Sequence, residues 1–126
     1  MQINSAKELI VYQKAYALSM KIFSLTKRFP AEERFALVSQ IRRSSRSVCL
    51  NLREAWAKRR YESHFISKLT DCDAESNETD TSLDFAKDCG LITATEHEEL
   101  VAVSCEVRRI LGAKLTNPAP FLLKET

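Results

Sequence analysis

Residues 9–30 read LIVYQKAYALSMKIFSLTKRFP, and the spacing of their apolar side chains decides the fold class. Val11, Ala15, Leu18, Ile22, Leu25 and Phe29 recur at alternating steps of four and three, the seam of a helix laid lengthwise against other helices. A second stripe, Leu9, Tyr12, Tyr16, Met20 and Phe23, runs beside the first. One stripe suffices for a helix in a monomeric bundle. The second is either the edge of a broad apolar face or a face covered by another chain. Ser5 and Glu8, just upstream, have capping-box spacing, and Pro30 ends the segment by disfavouring helical geometry in the residue before it.

Three more helical segments follow. From residue 32 to 58, Phe35, Val38, Ile41, Ser45, Val48, Leu52 and Trp56 hold the core phase, with Ser45 a polar interruption. From 62 to 89 the phase passes through Phe65, Leu69, Cys72, Ser76, Thr79, Leu83 and Ala86, across the unusually polar stretch DAESNETDTS at 73–82. Gly90 before Leu91 is a stop signal. Thr93 and Glu96 open a fourth helix lined by Leu100, Val103, Val107 and Ile110. Short connections between these segments predict an all-α, antiparallel, up-down-up-down four-helix bundle over residues 1–115. The Pro-containing tail at 116–126, TNPAPFLLKET, cannot extend the last helix. Its Phe121, Leu122 and Leu123 either dock on a bundle or belong to a mobile terminus.

Composition agrees with this class. Two glycines and three prolines in 126 residues are too few for the turns of a β-sandwich or a Rossmann fold. No apolar run reaches the roughly 20 residues of a membrane span, and no secretory pattern opens the chain, so a cytoplasmic protein is expected. Cys49, Cys72, Cys89 and Cys105 lie 23, 17 and 16 residues apart with no CxxC pair, which fits reduced thiols and not a zinc site.

The net charge of +2 hides a strong asymmetry. Residues 27–60 hold ten basic and three acidic side chains, a balance of +7, whereas 62–99 hold two basic and eleven acidic, a balance of −9. Within SQIRRSSRSVCLNLREAWAKRR, 39–60, Arg42, Arg46 and Arg53 share one helical face. Arg43 lies about 100° away, and Lys58, Arg59 and Arg60 close the helix, where cations favour its dipole. These seven side chains are candidates for holding phosphates of RNA or DNA, with binding that weakens steeply in salt. The competing reading pairs them with the acidic third helix, in the same bundle or an adjacent subunit. Trp56 could stack a base, although its core phase predicts burial.

Metal and nucleophile chemistry find little support. Asp73, Asn77, Asp80 and Asp84 share one face and Asp71, Glu75 and Glu78 another, but neither His64 nor His97 has the Glu-x-x-His spacing of di-iron bundles. Cys49 has no histidine nearby in sequence, and two glycines can hardly build a phosphate loop. The expectation is a protein that is not an enzyme and needs no metal or cofactor.

Several phrases resemble a known family. VYQKA (11–15), FPAEER (29–34), LVSQIRRS (37–44) and FAKDCGLIT (85–93) are similar to segments of the 23S-rRNA-intervening-sequence proteins. The same superfamily includes the accessory variability determinant of diversity-generating retroelements. Asn51 and Glu54 match the family phrase SNIAEG, and Glu78 a recurring glutamate of the third helix. The resemblance implies a four-helix bundle assembled as a homopentamer, a non-enzymatic role, nucleic-acid binding in basic members and a reverse transcriptase partner in retroelement members. Cys49 stands where the family often has proline, and Ala55 and Ala57 stand where it has glycines, so a kink in the second helix is not expected. Asn51, Glu54 and Glu78 are expected to form a buried polar network that sets helix register. The alternative function is an assembly or adaptor protein with a protein partner and no direct nucleic-acid contact.

Overall fold

A computed structural model describes residues 3–123. Four α-helices dominate the described residues: α1 (Ile10–Thr26), α2 (Ser39–Ala57), α3 (Glu62–Asp88) and α4 (Ala94–Thr116). Side-chain pairs show how they lie. Ser19 of α1 meets Ser45 of α2 while Phe23 meets Arg42, and Val48 of α2 meets Cys72 of α3 while Ser44 meets Thr79. Residue numbers rise on one helix as they fall on its neighbour, so α2 runs antiparallel to both α1 and α3. The fourth closes the bundle, with Lys14 of α1 bonded to Glu106 and Ser76 of α3 facing Ser104. No helix is long and apolar enough to cross a membrane among the described residues.

Local chemistry sets the helix ends. Gly90 has φ +74°, a left-handed conformation that costs an L side chain about 1–2 kcal/mol, and the Leu91 amide turns back to the Ala86 carbonyl at 2.8 Å. Thr93 and Glu96 form the expected capping box: Glu96 N–H donates to Thr93 Oγ1 at 3.0 Å, and Thr93 N–H donates to the Glu96 carboxylate at 2.8 Å. Ser5 instead caps a short 3-10 turn, Ala6–Glu8, and α1 starts two residues beyond it.

Arg28 of the α1–α2 connection also pairs with Glu96, and this guanidinium, with the Thr93 amide, pulls the carboxyl down to about 2. A folded-state value below the ordinary one of about 4.3 contributes stability that is complete above that ordinary value and is lost as pH falls toward 2. The amide shift of Thr93 is therefore expected to titrate with a midpoint near 2, and Arg28→Ala to raise that midpoint. A midpoint near 4 in the unaltered protein would disprove the coupling.

The core divides into two apolar clusters with hydroxyls between them. Toward one end, Leu9, Val11, Leu52, Phe65, Leu69, Val107 and Leu111 pack together; toward the other, Leu18, Ile22, Phe29, Val38, Ile41, Leu83, Ile92 and Leu100 do so. Between them lie buried Ser19, Ser44, Ser45, Ser76, Thr79 and Ser104. They pair across helices as Ser19 with Ser45 at 3.1 Å, Ser44 with Thr79 at 2.8 Å and Ser76 with Ser104 at 3.4 Å. This explains how the polar middle of α3 sits in a bundle: the facing helices supply hydroxyls at the same level, so each of these six has a partner. Removing both members of a pair with similar shapes is close to neutral, because no orphan remains. Ser44→Ala with Thr79→Val is accordingly expected to leave the urea midpoint unchanged or raised. A loss above about 1 kcal/mol would show the hydroxyl pair to be net stabilising.

Three expectations need correction or completion. Phe35, placed in the core by its phase, is 89% exposed. After Pro30 the chain makes a 3-10 turn, Ala31–Glu33, then a π turn, Arg34–Val38, capped by the Glu33 carboxylate accepting from the Leu37 amide. The wider π turn breaks the 3.6-residue phase, so only Val38 and Ile41 onward keep the seam. Trp56 is half-buried at the cluster's rim. The tail docks on its own bundle: Phe121 stacks 6.5 Å from Phe65, Lys114 Nζ lies 3.5 Å from the Phe121 ring centre, and Leu123 N–H donates to the Arg59 carbonyl. Burial there lowers the Lys114 pKa, and the ring's negative face partly replaces the lost water. Residues 124–126 of the tail lie outside the described residues.

Candidate nucleic-acid interface

The seven cations of 39–60 split into three groups. Arg42, Arg46 and Arg53 turn toward α1. Arg42 donates from Nε to Thr26 Oγ1 at 2.9 Å and from its terminal nitrogen to the Phe23 carbonyl at 3.3 Å. Its guanidinium carbon sits 4.6 Å from the Phe23 ring centre, with Arg46 at 5.7 Å and Lys27 Nζ at 4.7 Å from the same ring. One phenylalanine therefore gathers three cations. Neither Arg46 nor Arg53 has a carboxylate at ion-pairing distance among the described residues.

Arg43, about 100° round the helix, goes to α3. It bonds Glu75 at 3.3 Å and also pairs with Glu78, and these two carboxylates raise its pKa. The third group closes α2. Arg59 sits over Trp56, its guanidinium carbon 3.5 Å from the ring centre, and donates to the Trp56 carbonyl at 2.7 Å; burial lowers its pKa. Lys58 is exposed one turn after Glu54 and helps lower that carboxyl's pKa, though Lys68 is the larger cause. Arg60 is exposed beside it.

Asn51, Glu54 and Glu78 do not form the expected network. Asn51 donates to the Ser47 carbonyl and hydroxyl, each at 3.0 Å, within its own helix. Glu54 pairs with Lys68 at 2.7 Å and Glu78 with Arg43. All three are at least partly exposed, so water and separate cations satisfy them. Other carboxylates of the acidic helix α3 are answered from elsewhere, Asp71 by Lys68 on α3 itself and Asp80 by Arg108 on α4, while His97 hydrogen-bonds Asp84. Among the described residues, Arg43 is the one of the seven cations that ion-pairs with α3.

Beside the Arg46–Arg53 face lies a groove of about 370 Å³ between α1 and α2, walled by Tyr12, Tyr16, Met20 and Phe23 from α1 and by Arg46, Leu50 and Arg53 from α2. Its α1 wall is the second apolar stripe, which the sequence displays without saying what it touches. Tyr16, Met20 and Leu50 remain 53%, 50% and 63% exposed. Among the described residues no group of three or more His, Cys, Asp or Glu is placed to hold a metal. Burial raises the Cys49 thiol to about 11 and the Cys72 thiol to about 12, which keeps both protonated and poor as nucleophiles near neutral pH.

Fold and surface together define a small four-helix-bundle protein with a cationic and aromatic groove along its first two helices. Residues 7–113 match the family model of the 23S rRNA-intervening sequence proteins, and the chain belongs to that family. It is similar to a crystal structure of a protein of unknown function from the S23 ribosomal protein family of Bacteroides thetaiotaomicron, with 28% identity and a TM-score of 0.79. That match covers 86% of this chain and 96% of the other. No curated protein matches the chain in sequence.

Proposed function

We propose that this protein is a non-enzymatic, homo-oligomeric bundle that binds RNA or DNA through the outer face of α2. The observation that carries the proposal is a contrast within one helix. Arg43 is neutralised by Glu75 and Glu78, whereas Arg46 and Arg53 have no acidic partner among the described residues. Two unpaired guanidiniums, joined by Arg42 and Lys27 around Phe23, make a local positive field suited to phosphate oxygens. Such contacts position a backbone and carry little base information.

A second reading has its own support. Exposed Ile10, Tyr16, Met20 and Leu50 suit an assembly or adaptor protein whose partner is another polypeptide. Native mass, measured with and without a mixed RNA and DNA pool at low and moderate salt, separates the two. Uptake at low salt and release at moderate salt supports phosphate binding, with a log-log slope of about −0.9 per phosphate neutralised on duplex. A mass indifferent to nucleic acid at both salts rejects it and leaves the adaptor reading.

A further inference from the structure

The α1 wall of the groove says which form of nucleic acid the arginines would hold. Resting on the nucleic-acid reading above, we infer that the groove between α1 and α2 takes an unpaired strand, with a base on Tyr16 and the backbone along Arg46 and Arg53. The Tyr12 and Tyr16 rings lie 6.1 Å apart and 28° from parallel, so Tyr12 backs Tyr16 and limits its tilt. Tyr16 is 53% exposed and keeps surface to offer. Phe23 plays a different part, because Arg42, Arg46 and Lys27 surround its ring. It fixes cations in place.

On the opposite wall, Arg46 and Arg53 are two turns apart, about 10 Å along the helix axis, with Leu50 between them. A strand laid along α2 would meet two guanidiniums in succession and could turn its bases toward the tyrosine side. The charge complements this occupant: the charged side chains lining the groove are both arginines. An acidic strand is attracted, and the aromatic and aliphatic walls of Tyr16, Met20 and Leu50 receive the base faces. A duplex cannot use those walls. Its base faces are covered by their stacked neighbours, and it presents phosphates and base edges instead. Single strands gain from the arginines and from the tyrosine; duplexes gain from the arginines alone.

Fluorescence anisotropy with a labelled oligouridylate, and with the duplex it forms with oligoadenylate, tests this on the intact protein and on Tyr16→Ala and Tyr16→Phe, with native mass recorded for each. The expected result is binding of the single strand roughly tenfold tighter than of the duplex. Tyr16→Ala should remove about that factor from the single strand and leave duplex affinity unchanged, while Tyr16→Phe keeps both. Equal affinity for the two forms, or a Tyr16→Ala variant that binds the single strand normally, overturns the inference and leaves phosphate binding standing. Binding of neither form overturns the inference and the nucleic-acid reading together. A fall in native mass on Tyr16→Ala, with single-strand affinity intact, shows that a second copy covers this face and overturns the inference as well.

Discussion

Reversing two charges, Arg46→Glu with Arg53→Glu, is expected to weaken nucleic-acid binding by at least about 100-fold at low salt. Each guanidinium that bonds a phosphate contributes roughly 1.5–3 kcal/mol, and every 1.4 kcal/mol is tenfold. Two lost contacts therefore reach that factor before the repulsion of the new carboxylates is added. Neither side chain bonds another part of the protein through a salt bridge among the described residues, so the helix should fold unchanged. The matched control is Arg43→Gln, one position from Arg42. Its guanidinium serves Glu75 and Glu78, so affinity should change less than about twofold. Stability should change by under about 1 kcal/mol, because the Arg43 side chain is 51% exposed and water screens the pair. Equal losses of affinity in the two variants would mean that the ion pairs do not distinguish these arginines.

Leu69→Ala is expected to be strongly destabilising at the end of the bundle where the tail docks. Leu69 is 1% exposed and packs among Leu52, Phe65, Val107 and Leu111, side chains contributed by three helices. A rigid surround of that kind collapses only partly into the space left behind, which puts the cost at about 2–5 kcal/mol. Against a typical total of roughly 5–15 kcal/mol, this is a large fraction. Thermal unfolding should shift down by on the order of 10 °C. The same end holds Lys114 under Phe121, so the loss should also loosen the tail, seen as faster exchange of the Leu123 amide that donates to the Arg59 carbonyl. An unchanged melting temperature would refute the assignment of Leu69 to the core.

Periodicity located the elements well where each helix is regular. The seam of α1 predicts Val11, Ala15, Leu18, Ile22, Leu25 and Phe29 inside; five are buried and Leu25 is partly buried. It failed at Phe35, where a π turn changes the residues per turn and no local residue type announces it. The capping box at Thr93 and the stop at Gly90 were legible because their chemistry lies within a few residues. The separate partners that Glu54 and Glu78 take in place of the expected network were not, since they depend on which cation each carboxylate meets on another helix.

Sequence by itself determined the fold class, the helix count, the asymmetry of charge and the face shared by Arg42, Arg46 and Arg53. These follow from spacing along one chain, which the 3.6-residue turn converts directly into direction. Tertiary structure alone decided which cations are already answered. Arg43 meets Glu75 and Glu78 from 32 and 35 residues away, and Arg42 rests on Phe23 from 19. It also set the serines of α2, α3 and α4 at one level, and placed Tyr16 across a groove from Arg53. An ion pair or a stack depends on a separation of a few ångströms between helices, and only their packing sets that distance.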